Sequence, residues 1–538
     1  MSKNIEYFLR VSLLIVCAVF VQLYLFDMKD IFHIDELFSY GLANSEDGIY
    51  LFHDASEIDN KLLSGSFFNN YLTQSDNFSF YKMWQNLKYD NHMPVYFVLL
   101  HFACTFFSSI FSPTPAIIIN VLVLIFLIIY FYKLTKSIFK DDEIALATTT
   151  LFAFSSHVLG IEIFLRMYLL QMMCSVLLLK NVFDFVFNNR TNAYNLLCIM
   201  CISMLTILTH YYSIILCFFV TFTGFFILLM QKRHFDNLKF CIFMFFSVII
   251  AYIIYPQMIN VGLSGERGSQ FVSTIFKYLE NPVGLLKQQI PLFINPLFGN
   301  YIIFLITSSL FISIVIRTKK FVLISSNNNK IVIFFSLILF LFGFALALIM
   351  PNMTTFQIRY LSPIVPVFII LLVYLFLYLS NILNLNKFIV YILLWVLAFS
   401  NAFYEATHQD SPFYLRATNL SKRIDRMVNN ADIWWGLGGG NQHSWIIHNY
   451  IDKLMTANEI WTLVDYNSKE FKNFSDQEIK KKRYAYLLMP KTQEQQPQGA
   501  IEWIKKTTGR QSYYLFTTKH EKAASMAFEA SVFLVCPY

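Results

Sequence analysis

The sequence predicts an all-α polytopic membrane protein carrying a small C-terminal α/β domain. Three observations predict it. The 538-residue chain is 56% hydrophobic and 14% charged, with a mean hydropathy of +0.52, whereas soluble proteins carry about 25% charged residues. Twelve apolar runs approach the roughly 20 residues that a bilayer crossing needs, starting near Phe8, His92, Pro115, Ile144, Met167, Ala193, Tyr212, Leu238, Tyr301, Lys330, Leu361 and Phe388. The charge is also uneven: residues 404–538 hold 17 Lys/Arg and 14 Asp/Glu, and the first 403 hold the other 44 of the 75 charges.

The expected division is a transmembrane domain over 1–403 and a soluble domain over 404–538. The 58 Phe and 31 Tyr suit lipid-facing and interfacial surfaces. A net charge of +7 reads as loop Lys and Arg, not as a nucleic-acid footprint. Seven of the eight Cys lie in apolar runs, only Cys536 lies in the tail, and no disulfide or metal-type spacing appears. The first run, Phe8–Phe26, has Lys3 before it and Arg10 at its start, is too long for a signal-peptide core and has no cleavage site after it, so it reads as a retained anchor with a cytoplasmic N-terminus.

Sidedness follows from parity. The basic loops are Lys133/Lys136/Lys140, Arg190, Lys232/Arg233/Lys239, Arg317/Lys319/Lys320/Lys330 and Lys387. They all face the cytoplasm only if the run from His92 to Phe111 does not cross. The expectation is therefore about eleven transmembrane helices plus one interfacial or re-entrant helix. The loop 27–114 and the soluble domain then face outside. In that domain "SPFYLRATNLSKRIDRMV" reads as a helix, and "ADIWWGLGG", "RYAYLLMP", "SYYLFTT" and "ASVFLVCPY" read as strands, which suggests an α/β layer. "GLGGG" lacks phosphate-loop spacing and reads as a plain loop.

Polar residues gather at the expected outer ends of spans. Asp35 and Glu36 stand in "FHIDELFSYG". They fit either a solvated or Lys-paired couple, or a general base with a neighbour that positions it. His92 precedes Pro94 at the head of a helix. Glu162 and Arg166 are four apart and can pair on one helix face, or Arg166 can offer its planar fork to a phosphate. His210, Tyr211 and Tyr212 stand between two spans. Arg359 and Tyr360 head a late span, where a snorkelling Arg is the plain alternative. Together these residues outline one outward cavity with a carboxylate at one pole and cations at the other, suited to group transfer from a phosphate-bearing lipid.

The motifs carry a resemblance. Asp35-Glu36 in the first external loop, "HMPVYF", "LRMYLL", "LTHYYS" and "IRYLSPIVP" occur in register over about 400 residues. In that order they resemble the integral-membrane glycosyltransferases of the C-type fold. They are most similar to bacterial relatives of the dolichyl-phosphate-mannose–protein mannosyltransferases, a group that includes the lipid A aminoarabinose transferase. One departure is Met93, where the family has the first Pro of a pair. The resemblance implies an inverting transfer from a sugar on a polyprenyl phosphate to an acceptor hydroxyl on a lipid, glycan or protein, at the periplasmic or extracytoplasmic face of the inner membrane. Asp35 would take the hydroxyl proton, with Glu36 in support. Arg166, Arg359, His92 and His210 would hold the phosphate, and Glu162, Tyr96, Tyr168, Tyr211 and Tyr360 would line the cavity. Membrane lipids and the Phe- and Leu-rich spans would flank the polyprenyl tail. The loop 260–286, with Arg267, would cover the site. No cofactor is fixed, and a divalent metal ion at the acids stays open. A flippase of lipid-linked sugars is a competing class, although no internal repeat is evident. So is a ligase that transfers a whole glycan from a pyrophosphate.

Overall fold

The structure, a computed structural model, describes residues 3–29, 32–46, 61–74, 79–88, 90, 92–107, 110–259, 326–349 and 355–408. In the tail it describes five strand segments and a few isolated residues. The expected loop 260–286, the run from Tyr301, the tail helix 411–428 and most of the glycine-rich loop, residues 437–440, lie outside the described residues.

Among those residues, eight helices are long and apolar enough to cross a membrane, or nine if one bent pair counts as a single span. They are α1 (Lys3–Asp27), α6 (Thr114–Phe139), α9 (Tyr168–Phe187), α11 (Tyr212–Met230), α12 (His234–Ile254), α13 (Ser326–Ile349), α14 (Val365–Ile382) and α15 (Lys387–His408). The bent pair is α7 (Asp142–Ala153) and α8 (Ser156–Glu162), with a 56° bend. The run from Ala193 forms α10 (Ala193–Ile207), whose 15 residues span about 22 Å, short of the roughly 30 Å hydrocarbon core. The eleven expected spans thus appear as eight or nine within the described residues. The run from His92 forms only α5 (Val95–Cys104), ten residues and about 15 Å long, too short to cross unaided.

The chain forms two compact units. The first comprises residues 1–26, 91–96 and 116–414 and holds these long helices. Its helix starts are set locally. Asp141 caps α7 by accepting from Glu143 N and Ile144 N, and Asn192 caps α10 by accepting from Asn195 N. Both satisfy N–H groups that a helix start leaves open.

The second unit comprises 27–90, 97–115 and 415–538. It holds the short helices α2 (Ile34–Asn44), α3 (Gly65–Leu72) and α4 (Phe80–Lys88) and a six-stranded mixed sheet. The strands are β1 (Lys61–Leu63), β2 (Asp432–Gly436), β3 (Ile460–Leu463), β4 (Ala485–Pro490), β5 (Ser512–Thr517) and β6 (Ala530–Val535), in the order β1-β3-β2-β4-β6-β5. β2 pairs in parallel with β3 and β4, and the other ladders are antiparallel. The four strand runs read from the sequence coincide with β2, β4, β5 and β6. β1 belongs to the loop after the first span, yet it pairs with β3 through Leu63 and Ile460.

Candidate active site

In the second unit, the acid pair opens α2. His33 is the N-cap: its Nδ1 accepts from Asp35 N at 3.0 Å, and its own N–H donates to Glu36 Oε2 at 2.6 Å, a reciprocal capping box. Because Nδ1 is an acceptor there, His33 is neutral, and its 3.8 Å approach to Asp35 Oδ2 is not an ion pair. The other oxygen of Glu36 meets Lys29 Nζ at 2.5 Å, with both side chains 1% exposed. Asp35 keeps 20% of its side chain exposed. The adjacent acids therefore differ in kind: Glu36 is sealed and tied into the fold, and Asp35, on the same turn, is partly exposed. The far end of α2 is held as firmly. Asn86 donates to Ser45 O at 2.8 Å, His101 Nδ1 meets Ala43 O at 2.7 Å, and Asn44 donates to Leu72 O at 2.9 Å.

Glu36 thus gives one oxygen to Lys29 and the other to the His33 N–H. Among the described residues no group of three or more His, Cys, Asp or Glu is placed to hold a metal. No step is assigned to a metal here.

In the first unit, α8 ends at Glu162, and a turn over Ile163–Met167 separates it from α9. This break positions Arg166. It also frees backbone carbonyls, which need protein partners at membrane depth. Two buried amides supply them. Gln22 of α1 donates to Glu162 O at 3.0 Å, and Asn120 of α6 donates to Glu162 O at 2.9 Å and to Phe164 O at 3.3 Å. The expected helical Glu162–Arg166 pair does not form, because no helix joins the two residues. The Glu162 carboxylate is buried without a hydrogen-bond partner among the described residues.

Arg166 instead donates Nη2–H to His92 Nε2 at 2.8 Å. Arginine has no acceptor, so Nε2 is the acceptor and carries no hydrogen. The backbone of His92 is held by Tyr255, whose hydroxyl donates to His92 O at 3.3 Å. Val95 N–H, just beyond, donates to Leu208 O at 3.2 Å.

Arg359 lies in a 3₁₀ turn (Thr355–Leu361). Its guanidinium carbon stands 5.0 Å from the Tyr360 ring centre, 5.5 Å from Tyr168 and 6.0 Å from Phe164. Its Nη2 donates to Tyr360 Oη at 3.2 Å. Its carbonyl accepts from Ser362 Oγ at 2.6 Å, and Ser362 in turn meets His157 Nε2 at 3.0 Å. The His210 ring lies 5.4 Å from Tyr168 and 5.7 Å from Tyr360. Tyr212 closes the group 4.9 Å from Tyr360.

The first unit therefore brings together Arg166 with His92, and Arg359 with Tyr168, Tyr360 and His210. The segment Phe164–Tyr168 joins the two groups. Tyr96 and Tyr211 bury their hydroxyls. Sequence reasoning missed Lys29, Gln22, Asn120 and His157. The available signal was a charged or amide side chain inside or beside an apolar run, a position that demands a partner. Chemically, the cluster offers planar guanidinium donors on aromatic faces, which suits phosphate oxygens.

No family model matches the chain, and no curated protein matches it. Solved structures do match. ArnT from Cupriavidus metallidurans bound to undecaprenyl phosphate is 12% identical, with 97% of each chain covered and a TM-score of 0.50. The same protein in the apo state is 12% identical, with 97% of each chain covered and a TM-score of 0.48. The oligosaccharyltransferase of Archaeoglobus fulgidus in the apo form is 13% identical, covering 90% of this chain and 70% of that one, with a TM-score of 0.45. Of these three only the first reaches 0.50, and at 12% identity it speaks to fold alone. Long apolar helices, a broken helix carrying Arg166, an acid-bearing α2 and that likeness lead to one conclusion: the chain has the fold of the C-type integral-membrane glycosyltransferases.

Proposed function

We propose that the protein is an inverting glycosyltransferase of the cytoplasmic membrane, moving a sugar from a polyprenyl phosphate to an acceptor hydroxyl on the outer face. The observation that carries this reading is the meeting of Arg166 and His92 at 2.8 Å beside the aromatic group around Arg359. Residues from four distant sequence motifs meet there, and the chemistry they share is recognition of a phosphate. The bound undecaprenyl phosphate of the ArnT structure supports a polyprenyl-phosphate donor. The ten-residue length of α5 supports a run from His92 that does not cross, one of the conditions on which the outward placing of the acids rests.

In this reading Asp35 accepts the proton of the acceptor hydroxyl as its oxygen attacks the anomeric carbon. The bond from that carbon to the phosphate oxygen breaks, the anomeric centre inverts, and the leaving polyprenyl phosphate takes the electron pair. Arg166 and Arg359 stabilise the charge developing on it, with His92 and His210 shaping their surroundings. Glu36 positions the turn that carries Asp35 and does not touch the reacting atoms.

The test is transfer by the full chain in proteoliposomes supplied with polyprenyl-phosphate sugars and envelope extract, read as released polyprenyl phosphate and a one-sugar mass gain in a product. Asp35→Asn should reduce turnover about 10²–10⁴-fold while the protein stays folded and membrane-inserted. Normal turnover by that variant would refute Asp35 as the base.

A further inference from the structure

A second basic site lies far from the one described. Lys133, Lys136, Lys140, Lys180 and Arg190 line a cavity of about 580 Å³ together with Asp142 and Asp184. Five cations against two carboxylates leave a net charge of +3. Lys133 and Lys136 belong to the end of α6, Lys140 follows it, Lys180 is on α9, and Arg190 precedes α10. Two chain stretches, 133–142 and 180–190, thus converge.

The site is organised, not merely charged. Asp184 has a side chain only 3% exposed. It accepts from Lys180 at 2.8 Å, Ser137 at 3.0 Å and Asn188 at 2.8 Å, and it pairs with Arg190 at 3.0 Å. Lys136 pairs with Asp142 at 2.7 Å. Two cations are left without a carboxylate among the described residues. Lys133 stands 4.9 Å over the Tyr130 ring, and Lys140 donates to Asn188 Oδ1 at 3.2 Å. Lys140 also takes φ 55°, a left-handed conformation usual for Gly or Asn after a helix.

Position argues for a lipid ligand. The Arg166 cluster sits at the start of α9 and this cavity at its end. Lys180 and Asp184 stand 12 and 16 residues beyond Tyr168 on α9, about 18–24 Å along the helix, so the two sites lie toward opposite ends of one span-length helix. Scattered Lys in a loop would satisfy the positive-inside tendency without a concave site around a buried Asp. The outward face of α6 also leads to the cavity. Ile118, Leu122 and Phe126 are 42%, 51% and 51% exposed at four-residue spacing, and the same row continues to Tyr130 and Lys133.

We propose that this cavity binds the phosphate of an anionic lipid headgroup, with the acyl chains lying along Ile118, Leu122 and Phe126. Basic pockets between span ends on the cytoplasmic side are suited to such headgroups.

The test is native mass spectrometry of the full chain in neutral detergent, titrated with phosphatidylglycerol, with phosphatidylcholine of the same chains, or with inorganic phosphate. Phosphatidylglycerol should be retained in preference to phosphatidylcholine. Lys133→Gln and Lys140→Gln should each weaken that retention about fivefold, and Lys133→Arg with Lys140→Arg should keep it. Equal retention of the two lipids, or unchanged retention in the Gln double variant, would overturn the proposal. Tight binding of inorganic phosphate without lipid preference would overturn the lipid source.

Discussion

Lys29 Nζ meets Glu36 Oε1 at 2.5 Å with both side chains sealed from solvent. The pair joins the exit of the first span to the turn that presents Asp35. Breaking a buried pair from one side leaves a bare charge and costs about 3–5 kcal/mol, whereas replacing both partners with apolar groups is often near neutral. Glu36→Ala should therefore lower the unfolding midpoint strongly in detergent, and Lys29→Met with Glu36→Leu should recover much of the loss. A double variant as unstable as the sum of the two single variants would show that the residues do not act as a pair.

The same pair sets a pH dependence. Burial holds the Lys29 ammonium below its ordinary value of 10.5, with Glu36 opposing that shift. Above the lowered folded value, the unfolded chain keeps a proton that the folded chain sheds, so this residue's contribution to stability rises with pH up to about 10.5. Thermal unfolding from pH 7 to pH 10 should give a more positive slope for the wild type than for Lys29→Met.

Arg166 and His92 form the contact on which the phosphate reading rests. Arg166→Ala should lower kcat/KM for the donor about 10²–10³-fold. Arg166→Lys should recover little, because an ammonium lacks the planar fork. His92→Ala should cost less, and the double variant should fall short of additivity by about 0.5–3 kcal/mol. Additive losses would separate the two side chains.

Gln22 and Asn120 hold the carbonyls at the break before Arg166. Asn120→Leu should destabilise by about 1–3 kcal/mol, the cost of an unsatisfied buried group. It should also lower kcat by loosening Arg166, although Asn120 touches no substrate. A thermal shift without a kinetic change would limit Asn120 to a structural role.

Gly41 lies against Tyr71, and a methyl group at residue 41 would overlap the Tyr71 ring. Gly41→Ala should cost about 1–3 kcal/mol by overpacking, and Tyr71→Leu should relieve much of that penalty. Both effects can be read from unfolding midpoints.

Much of the helical framework was legible because a lipid-facing span has one dominant requirement, a long apolar run. The starts near Pro115, Met167, Tyr212 and Phe388 each fall within a residue or so of a helix boundary. Legibility ended where backbone breaks. Glu162 and Arg166 show the spacing of a helical pair, yet Gln22 and Asn120, more than 40 residues away, stabilise a turn between them. That turn depends on tertiary contacts that spacing does not encode. The acids were visible as a couple, but their separate roles depended on Lys29 and the His33 cap. β1 and β3 were missed because three- and four-residue strands give too few alternations to register as a period.

The ladder between β1 and β3 has a further consequence for biosynthesis. Leu63 and Ile460 are 397 positions apart. At about 5–20 residues per second, the ribosome delivers the partner strand roughly 20–80 s after Leu63. Throughout that interval the segment 61–63 has no β3 to pair with, while span after span is inserted behind it. Closure of the sheet is thus a late, post-insertion event, and truncation anywhere before Ile460 should leave this edge open to chaperones and proteases.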